Sequence, residues 1–422
     1  VEQSGDLVRV TARLVDATDM TQLASIRVQQ PRGELFALQD SLVADVLRGL
    51  RRQLGRDIRL DLARRATTSV EAWELVQRAE KLRDQAWEGR SDTEVAAGLR
   101  VQADSILARA EELDKRWTEP ILLRGRLALE TGTAEALGRG LGHMTRAMAL
   151  SPGEARALGL QGSMKYALAR QASDSLSAAE LLDQAEQDLR TALAENASLA
   201  SAWIALADLL YNAKWDLAAA RDAARRAYEE DVFLLEEDHF VWMCEISMQL
   251  GDYAEATRWC AEGRRRSPSR QRLPMVELVV LASEGVKPDP AAAWKRVDEL
   301  ARLSSPEVNV PLAQMVTAAV LVRAELPDSA RAVMRSARSA VPDDYATAMA
   351  YYEAHVRLLL GERETTLRLL REFLTAYPAP YRAVVARDYW FEDLARDPRF
   401  EALVDRRRLP FFCQILCEPP PQ

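Results

Sequence analysis

The chain has 422 residues, 48% hydrophobic and 28% charged, with a formal net charge of -8. That acidic balance excludes a general nucleic-acid binder, which needs a basic face to neutralise phosphates. Apolar runs such as Val279-Val280-Leu281-Ala282 are short and broken by charge, so no membrane span is expected in this chain. Four cysteines (Cys244, Cys260, Cys413, Cys417) are too few and scattered for a disulfide scaffold.

The chain opens on Val1 without a signal-peptide pattern, and the expectation is a piece of something longer. Over residues 7–15, Val8, Val10, Ala12 and Leu14 alternate with Arg9, Thr11 and Arg13, the period of a half-buried strand. A second strand is expected over Leu23 to Val28, making a hairpin. From Gly33 the period changes: Leu35, Leu38, Leu42, Val46 and Leu50 recur at helical spacing. The run Gly5-Asp6-x-Val8-Arg9-Val10-Thr11-Ala12-x-Leu14-x-Asp16-Ala17, followed by Leu35-Phe36-Ala37-Leu38-Gln39-Asp40, resembles the end of the TolB-like domain of bacterial signalling proteins. In that family the domain lies between a regulatory or catalytic module and a tetratricopeptide array. Residues 1–56 are therefore expected to be a truncated TolB-like segment.

From Ser69 to Val404 the sequence reads as helices punctuated by Gly, Pro, Asn and Asp. Periodicity is the informative feature. Gly251-Asp252-Tyr253-Ala254-Glu255-Ala256 reads as a tight turn opening a helix, and Pro268 follows Ala256 by twelve residues, as Pro342 follows Ala330. Pro268, Pro306, Pro342 and Pro378 are 38, 36 and 36 residues apart. Small residues, such as Ala207, Ala220 and Ala227 or Gly162, Ala185 and Ala192, stand where paired helices would approach closely, with Trp203, Leu206 and Leu158 filling the gaps. These patterns resemble the tetratricopeptide repeat, over seven or eight units. The resemblance implies a mostly α fold: a right-handed tetratricopeptide-type α-solenoid of helix hairpins, preceded by a small β-hairpin plus helix. The first unit, Ser69 to Lys115, matches poorly, and Trp294 stands where a small residue is expected. The array is placed at residues 57–380. Residues 381–408, with Trp390-Phe391-Glu392-Asp393-Leu394 and Pro398-Arg399-Phe400, resemble the capping helices that close such arrays, and residues 409–422 are an apolar, Pro-rich tail.

No catalytic constellation is found. His143, His239 and His355 lie in different repeats without a second ligand-type residue at i+3 or i+4, so no metal and no cofactor are expected. Gly138-Arg139-Gly140-Leu141-Gly142 lies inside a helical segment rather than after a strand, so the glycines serve packing. Arg264-Arg265-Arg266 and Arg406-Arg407-Arg408 read as solvated helix ends. Cys244 and Cys260 fall in the two helices of one repeat as small core residues, with a disulfide open to them in an oxidising compartment.

What remains is a surface. In tetratricopeptide arrays the first (A) helix of each pair lines a concave groove, and carrying those positions over gives Tyr166, Ile204, Asp208, Tyr211, Asn212, Val241, Glu245, Met248, Met315, Arg323, Tyr351 and His355, about half of them expected to be exposed. A protein or peptide partner is expected there. The TolB-like segment, Ser69-Val70-Glu71-Ala72-Trp73-Glu74-Leu75 and the closing segment together resemble the C-terminal region of a bacterial serine/threonine kinase or adenylate-cyclase-like regulator, with any catalysis in sequence outside this chain. The resemblance leaves cytoplasmic and extracytoplasmic placement both open. The alternative is a free-standing assembly scaffold or secretion-linked adaptor.

Overall fold

The computed structural model describes the backbone of residues 2–4, 7–15 and 22–31. It then describes residues 67, 69–89 and 92–404, except 173, 232–233, 236, 267–271, 303–304 and 378–379. At the front, β1 (Glu2–Ser4), β2 (Leu7–Val15) and β3 (Gln22–Pro31) pair antiparallel in chain order, with Val10 opposite Val28 and a register shift at Leu14/Val15. The helix expected from Gly33, Arg406-Arg407-Arg408 and the tail over residues 409–422 lie outside the described residues.

Everything else described is helical. In order come α1 (Val70–Glu88), α2 (Thr93–Leu113), α3 (Glu119–Thr131), α4 (Ala134–Leu150), α5 (Ala155–Ala169) and α6 (Ser175–Glu195). Next are α7 (Ala200–Asp208), a π-helical turn (Leu209–Lys214), α8 (Leu217–Asp231), α9 (Glu237–Gln249) and α10 (Tyr253–Arg266). Then follow α11 (Arg272–Ala282), α12 (Pro290–Arg302), α13 (Pro306–Arg323), α14 (Pro327–Ala340), α15 (Ala346–Leu359) and α16 (Arg363–Ala376). The chain closes with α17 (Pro380–Arg387), a 3-10 turn (Tyr389–Leu394) and α18 (Pro398–Val404).

Local chemistry sets these boundaries. Ser69 and Thr133 accept from the backbone N–H three residues on, at 3.1 and 3.3 Å, and so cap α1 and α4. Pro290, Pro306 and Pro327 open their helices, where the missing N–H costs nothing. The Gly251-Asp252 pair does two jobs. Gly251 takes φ 75°, letting the Asp252 N–H reach back to Ser247 O at 2.9 Å and close α9. The Asp252 carboxylate then accepts from Glu255 N at 3.0 Å and opens α10.

The chain forms two compact units. The first comprises Val1–Gln171, Gln187–Ala202 and Asp231–Leu234; the second comprises Ala172–Glu186, Trp203–Glu230 and Leu235–Gln422. Within the first, α1 packs on α2 and α3 on α4, and α3 also meets α5. Its cores are apolar: Val76, Ala79, Leu107 and Trp117 in one cluster, Ile121, Leu137, Met144 and Met164 in the next. Within the second, α9 packs on α10, α11 on α12, α13 on α14 and α15 on α16, while α9, α11, α13 and α15 pack on one another in succession. That double pattern, each A helix on its own partner and on the next A helix, is an all-α hairpin array.

The repeat is visible as buried residues seven apart in the second helix of each pair. Ala103 and Ala110, Ala185 and Ala192, Ala220 and Ala227, and Ala330 and Ala337 are all fully buried. The first member of each pair recurs at 36 or 37 residues from Ala220 through Ala256, Ala293 and Ala330 to Thr366. Two expectations are corrected by this frame. The unit over Ser69 to Lys115 carries the small residues after all, as Ala72, Ala79, Ala103 and Ala110. In α12 the small buried position is Ala293, and Trp294 is its half-buried neighbour. Gly140 shows why size matters: a Cβ there would stand 2.8 Å from Met164 Sδ and 2.9 Å from Ala128 Cβ.

Candidate partner-binding surface

None of the twelve groove positions is exposed. Tyr166, Tyr211, Val241, Glu245, Met248, Met315, Tyr351 and His355 are buried, whereas Ile204, Asp208, Asn212 and Arg323 are half-buried. Tyr166 belongs to the first unit, where the Arg170 guanidinium sits 5.9 Å from its ring centre. The other eleven belong to the second unit, and several converge.

Tyr211 ends up on the π-helical turn after α7. Its hydroxyl donates to Glu245 Oε2 at 3.0 Å, and its ring stacks on Trp215 with centroids 5.9 Å apart. Trp215 closes that turn at φ 55°, an unusual conformation for a bulky residue. Burial pushes the Glu245 carboxyl above its ordinary value, against the attraction of Arg272 and the Tyr211 hydrogen bond. Asn212 Nδ2 donates to Asp208 Oδ1 at 2.5 Å.

Arg323, at the C-terminus of α13, is committed to the backbone. It donates to the carbonyls of Leu281, Glu284 and Val286 at 3.0, 2.9 and 2.6 Å, fastening the end of α11 and the loop after it. Burial lowers its pKa, although Glu284 partly offsets this. On α15, Tyr351 donates to the Asp388 carboxylate, and His355 lies flat on Trp390, with centroids 4.1 Å apart and planes at 6°. Burial, helped by the Arg323 charge, holds His355 down to about 3, so it is neutral. Burial pushes Asp388 up to about 6, even though Tyr351 and the Trp390 N–H both favour its charged form.

The carry-over of groove positions does not include the residues that meet them. Asp388 Oδ1 accepts from Trp390 N at 2.9 Å and so caps the 3-10 turn. The Tyr389 hydroxyl is 2.8 Å from Ser283 Oγ and 3.6 Å from Met248 Sδ. Arg387 stands 5.5 Å from the centre of the Trp215 ring. Tyr389 and Met248 lie 141 residues apart in sequence, and Arg387 and Trp215 lie farther apart still, which no local pattern records. Trp390 itself is visible in the sequence, but as part of a cap.

The side chains read as structural are engaged in structure. Burial, then Arg124 and Arg146, hold His143 down to about 4. His239 packs edge-on against Trp242 at 5.0 Å. Arg264 pairs with Glu277 and Glu299 at 2.8 and 2.5 Å, while Arg265 and Arg266 both pair with Glu262. Gly138, Gly140 and Gly142 lie within α4. Cys244 and Cys260, read as core residues with a disulfide left open, are joined as a disulfide between α9 and α10, with Cα atoms 5.4 Å apart. Among the described residues, no three His, Cys, Asp or Glu side chains form a group that could hold a metal, and no helix is long and apolar enough to cross a membrane.

A helical hairpin array whose second unit packs polar and aromatic side chains together is thus the class these contacts define. No known family profile matches the chain, and no curated protein matches it. Among solved structures it is similar to a thermophilic TPR protein of Thermus thermophilus, at 17% identity and a TM-score of 0.38, covering 49% of this chain and 100% of that one. It is also similar to pilF of Pseudomonas aeruginosa, at 15% identity and a TM-score of 0.39, covering 53% and 92%. Yeast Tom70 is matched at 13% identity and a TM-score of 0.37, covering 87% and 78%. All three scores are below 0.5, so the hairpin fold rests on this chain's own packing.

Proposed function

We propose that this chain is the partner-binding, non-catalytic region of a bacterial signalling protein, a tetratricopeptide-type array that holds a peptide or protein segment along its A helices. The observation that carries this reading is the direct succession α9, α11, α13 and α15, which lines up side chains from four hairpins along one face. Tyrosine, methionine, histidine and carboxylate groups on that face suit recognition of an extended chain. On this reading residues 1–56 are the end of a TolB-like element, and residues 381–408 close the array. The Cys244–Cys260 disulfide supports an oxidising compartment, and so the extracytoplasmic side.

The test is capture of a partner by the intact chain, followed by variants. Asp208→Ala and Asn212→Ala, which touch the half-buried part of the face, should weaken capture about tenfold or more. Glu135→Ala, exposed on α4, should not. Equal effects from all three would refute the assignment of the face. The signalling context is tested by the reading frame before Val1: a kinase or cyclase domain encoded there supports it, and its absence removes it.

A further inference from the structure

The segment between α17 and the closing 3-10 turn does not behave like a cap. A terminal cap covers the last hairpin, and Phe391, Phe400 and Val404 do so as part of the core around α15 and α16, with Arg363 donating to Asp393 O at 2.8 Å. Arg387 to Trp390 do something else. Arg387 lies over Trp215 at the end of the π-helical turn. Asp388 accepts a hydrogen bond from the hydroxyl of Tyr351 on α15. Tyr389 reaches Met248 on α9 and Ser283 after α11. Trp390 stacks on His355 of α15. Four consecutive residues therefore meet four hairpins, each through a different side-chain chemistry: a cation on an indole, a carboxylate at a phenol, a phenol at a hydroxyl and a thioether, an indole on a neutral imidazole. A short segment whose consecutive side chains are each met by side chains of several hairpins has the contacts of a bound peptide. One donor is poorly served. Trp390 Nε1 is buried, and the Tyr389 hydroxyl beside it is an acceptor but is poorly aligned for a full hydrogen bond. Buried donors are ordinarily better satisfied than this.

We infer that the inner face of the second unit is a peptide site which the chain fills with its own Arg387-Asp388-Tyr389-Trp390 segment. The partner is a polypeptide presenting the same chemistry, a carboxylate followed directly by two aromatic side chains, which must displace that segment to bind. The inference rests on the interaction reading above and adds the ligand chemistry and the self-occupancy. Neutral His355 and the Tyr351 hydroxyl set the selectivity: the ring accepts a flat indole, and the hydroxyl demands an acceptor one residue from the phenol.

The experiment uses the full chain and a fluorescent peptide with the sequence of residues 385–394, read by anisotropy. A site occupied in cis about 99% of the time weakens apparent affinity about 100-fold, so emptying it should be visible. The Trp390→Ala chain should bind the peptide at least about tenfold more tightly than the wild-type chain. In that background a peptide with Asp replaced by Lys, or the added change His355→Ala, should abolish binding. Tyr389→Phe, which removes one hydroxyl and keeps the ring, is the milder variant should Trp390→Ala disturb the helical circular dichroism. It should give a smaller gain in the same direction. No binding to either folded variant at millimolar peptide would overturn the inference and make the segment part of the core. Equal binding to wild type and variants would overturn it too. A partner captured by the intact chain with an affinity indifferent to Trp390→Ala would leave the interaction reading standing and sink only this one.

Discussion

Replacing His355 by Phe should reverse the response of the second unit to mild acid. His355 is buried and neutral, with a folded pKa of about 3 against an ordinary 6.5. Its folded value lies below its unfolded one, so the fold accepts only the uncharged ring. Stability is full above 6.5 and is lost as pH falls towards 3, because the unfolded chain takes up a proton that the fold refuses. At about pH 5 the loss is about 2 kcal/mol relative to neutral pH. Asp388 runs the other way. Its folded pKa of about 6 lies above the ordinary 3.8, so its charged form costs stability at neutral pH, and acid relieves that cost. At about pH 5 the gain is about 1 kcal/mol. The groups facing the pair are Tyr351, Tyr352, Tyr389, Trp390 and Arg323, none of which titrates in this window. His355→Phe keeps a flat ring on Trp390 and leaves only the Asp388 term. Asp388→Asn keeps the acceptor for Trp390 N and leaves only the His355 term. Between neutral pH and about pH 5, the two variants should differ by about 3 kcal/mol in how denaturant stability changes, contributions common to both, such as His143, cancelling. Urea titrations monitored by tryptophan fluorescence at the two pH values would measure it. Parallel acid responses in both variants would refute the assignment of a buried neutral imidazole beside a buried acid.

Three further outcomes follow from packing. Gly140→Ala should destabilise by about 1–3 kcal/mol in a thermal melt, through its clash with Met164 and Ala128, whereas Gly138→Ala in the same helix meets nothing within 4 Å and should stabilise by up to about 1 kcal/mol. Reduction of the Cys244–Cys260 bridge, which spans 16 residues, should cost about 3 kcal/mol, and peptide mapping without reductant should recover the two cysteines in one linked fragment. Glu353, buried between Arg338 and Arg357, should cost about 3 kcal/mol or more when changed to Leu, because two guanidinium groups lose their shared partner; chemical denaturation would read it.

The helical array was legible because its signals are local. A glycine that ends one helix, an aspartate that caps the next, and alanines seven apart all lie within one repeat. Even the weakly matching first unit obeys the same alanine spacing, and Trp294 misled only by a one-residue shift from Ala293. The candidate groove positions could be nominated from the sequence, but their exposure could not. Helical position can nominate Met248 or His355, yet only the folded chain reveals that Tyr389 and Trp390 return to cover them from 141 and 35 residues away. The same holds for Arg323, whose guanidinium satisfies three carbonyls of a neighbouring element rather than facing a partner. Nothing in spacing distinguishes two core cysteines from a bridged pair.

The composition of that covered face is itself an argument. A buried surface made only for stability is most simply apolar, and the first unit is built so, with Ile121, Leu137, Met144 and Met164 in contact. The second unit instead buries Glu245, Asp388, His355 and Tyr351 and half-buries Tyr352 and Tyr389, and each is shifted in the direction that favours its uncharged form. Such groups weaken a core unless every bond is made, and here the indole nitrogen of Trp390 lacks a well-aligned one. Polar groups that cost stability in place are the mark of a surface selected for what it binds, and sequences depart from the apolar rule chiefly at such sites. On the proposed reading, the face is a site with its own ligand seated rather than a core with misplaced polarity.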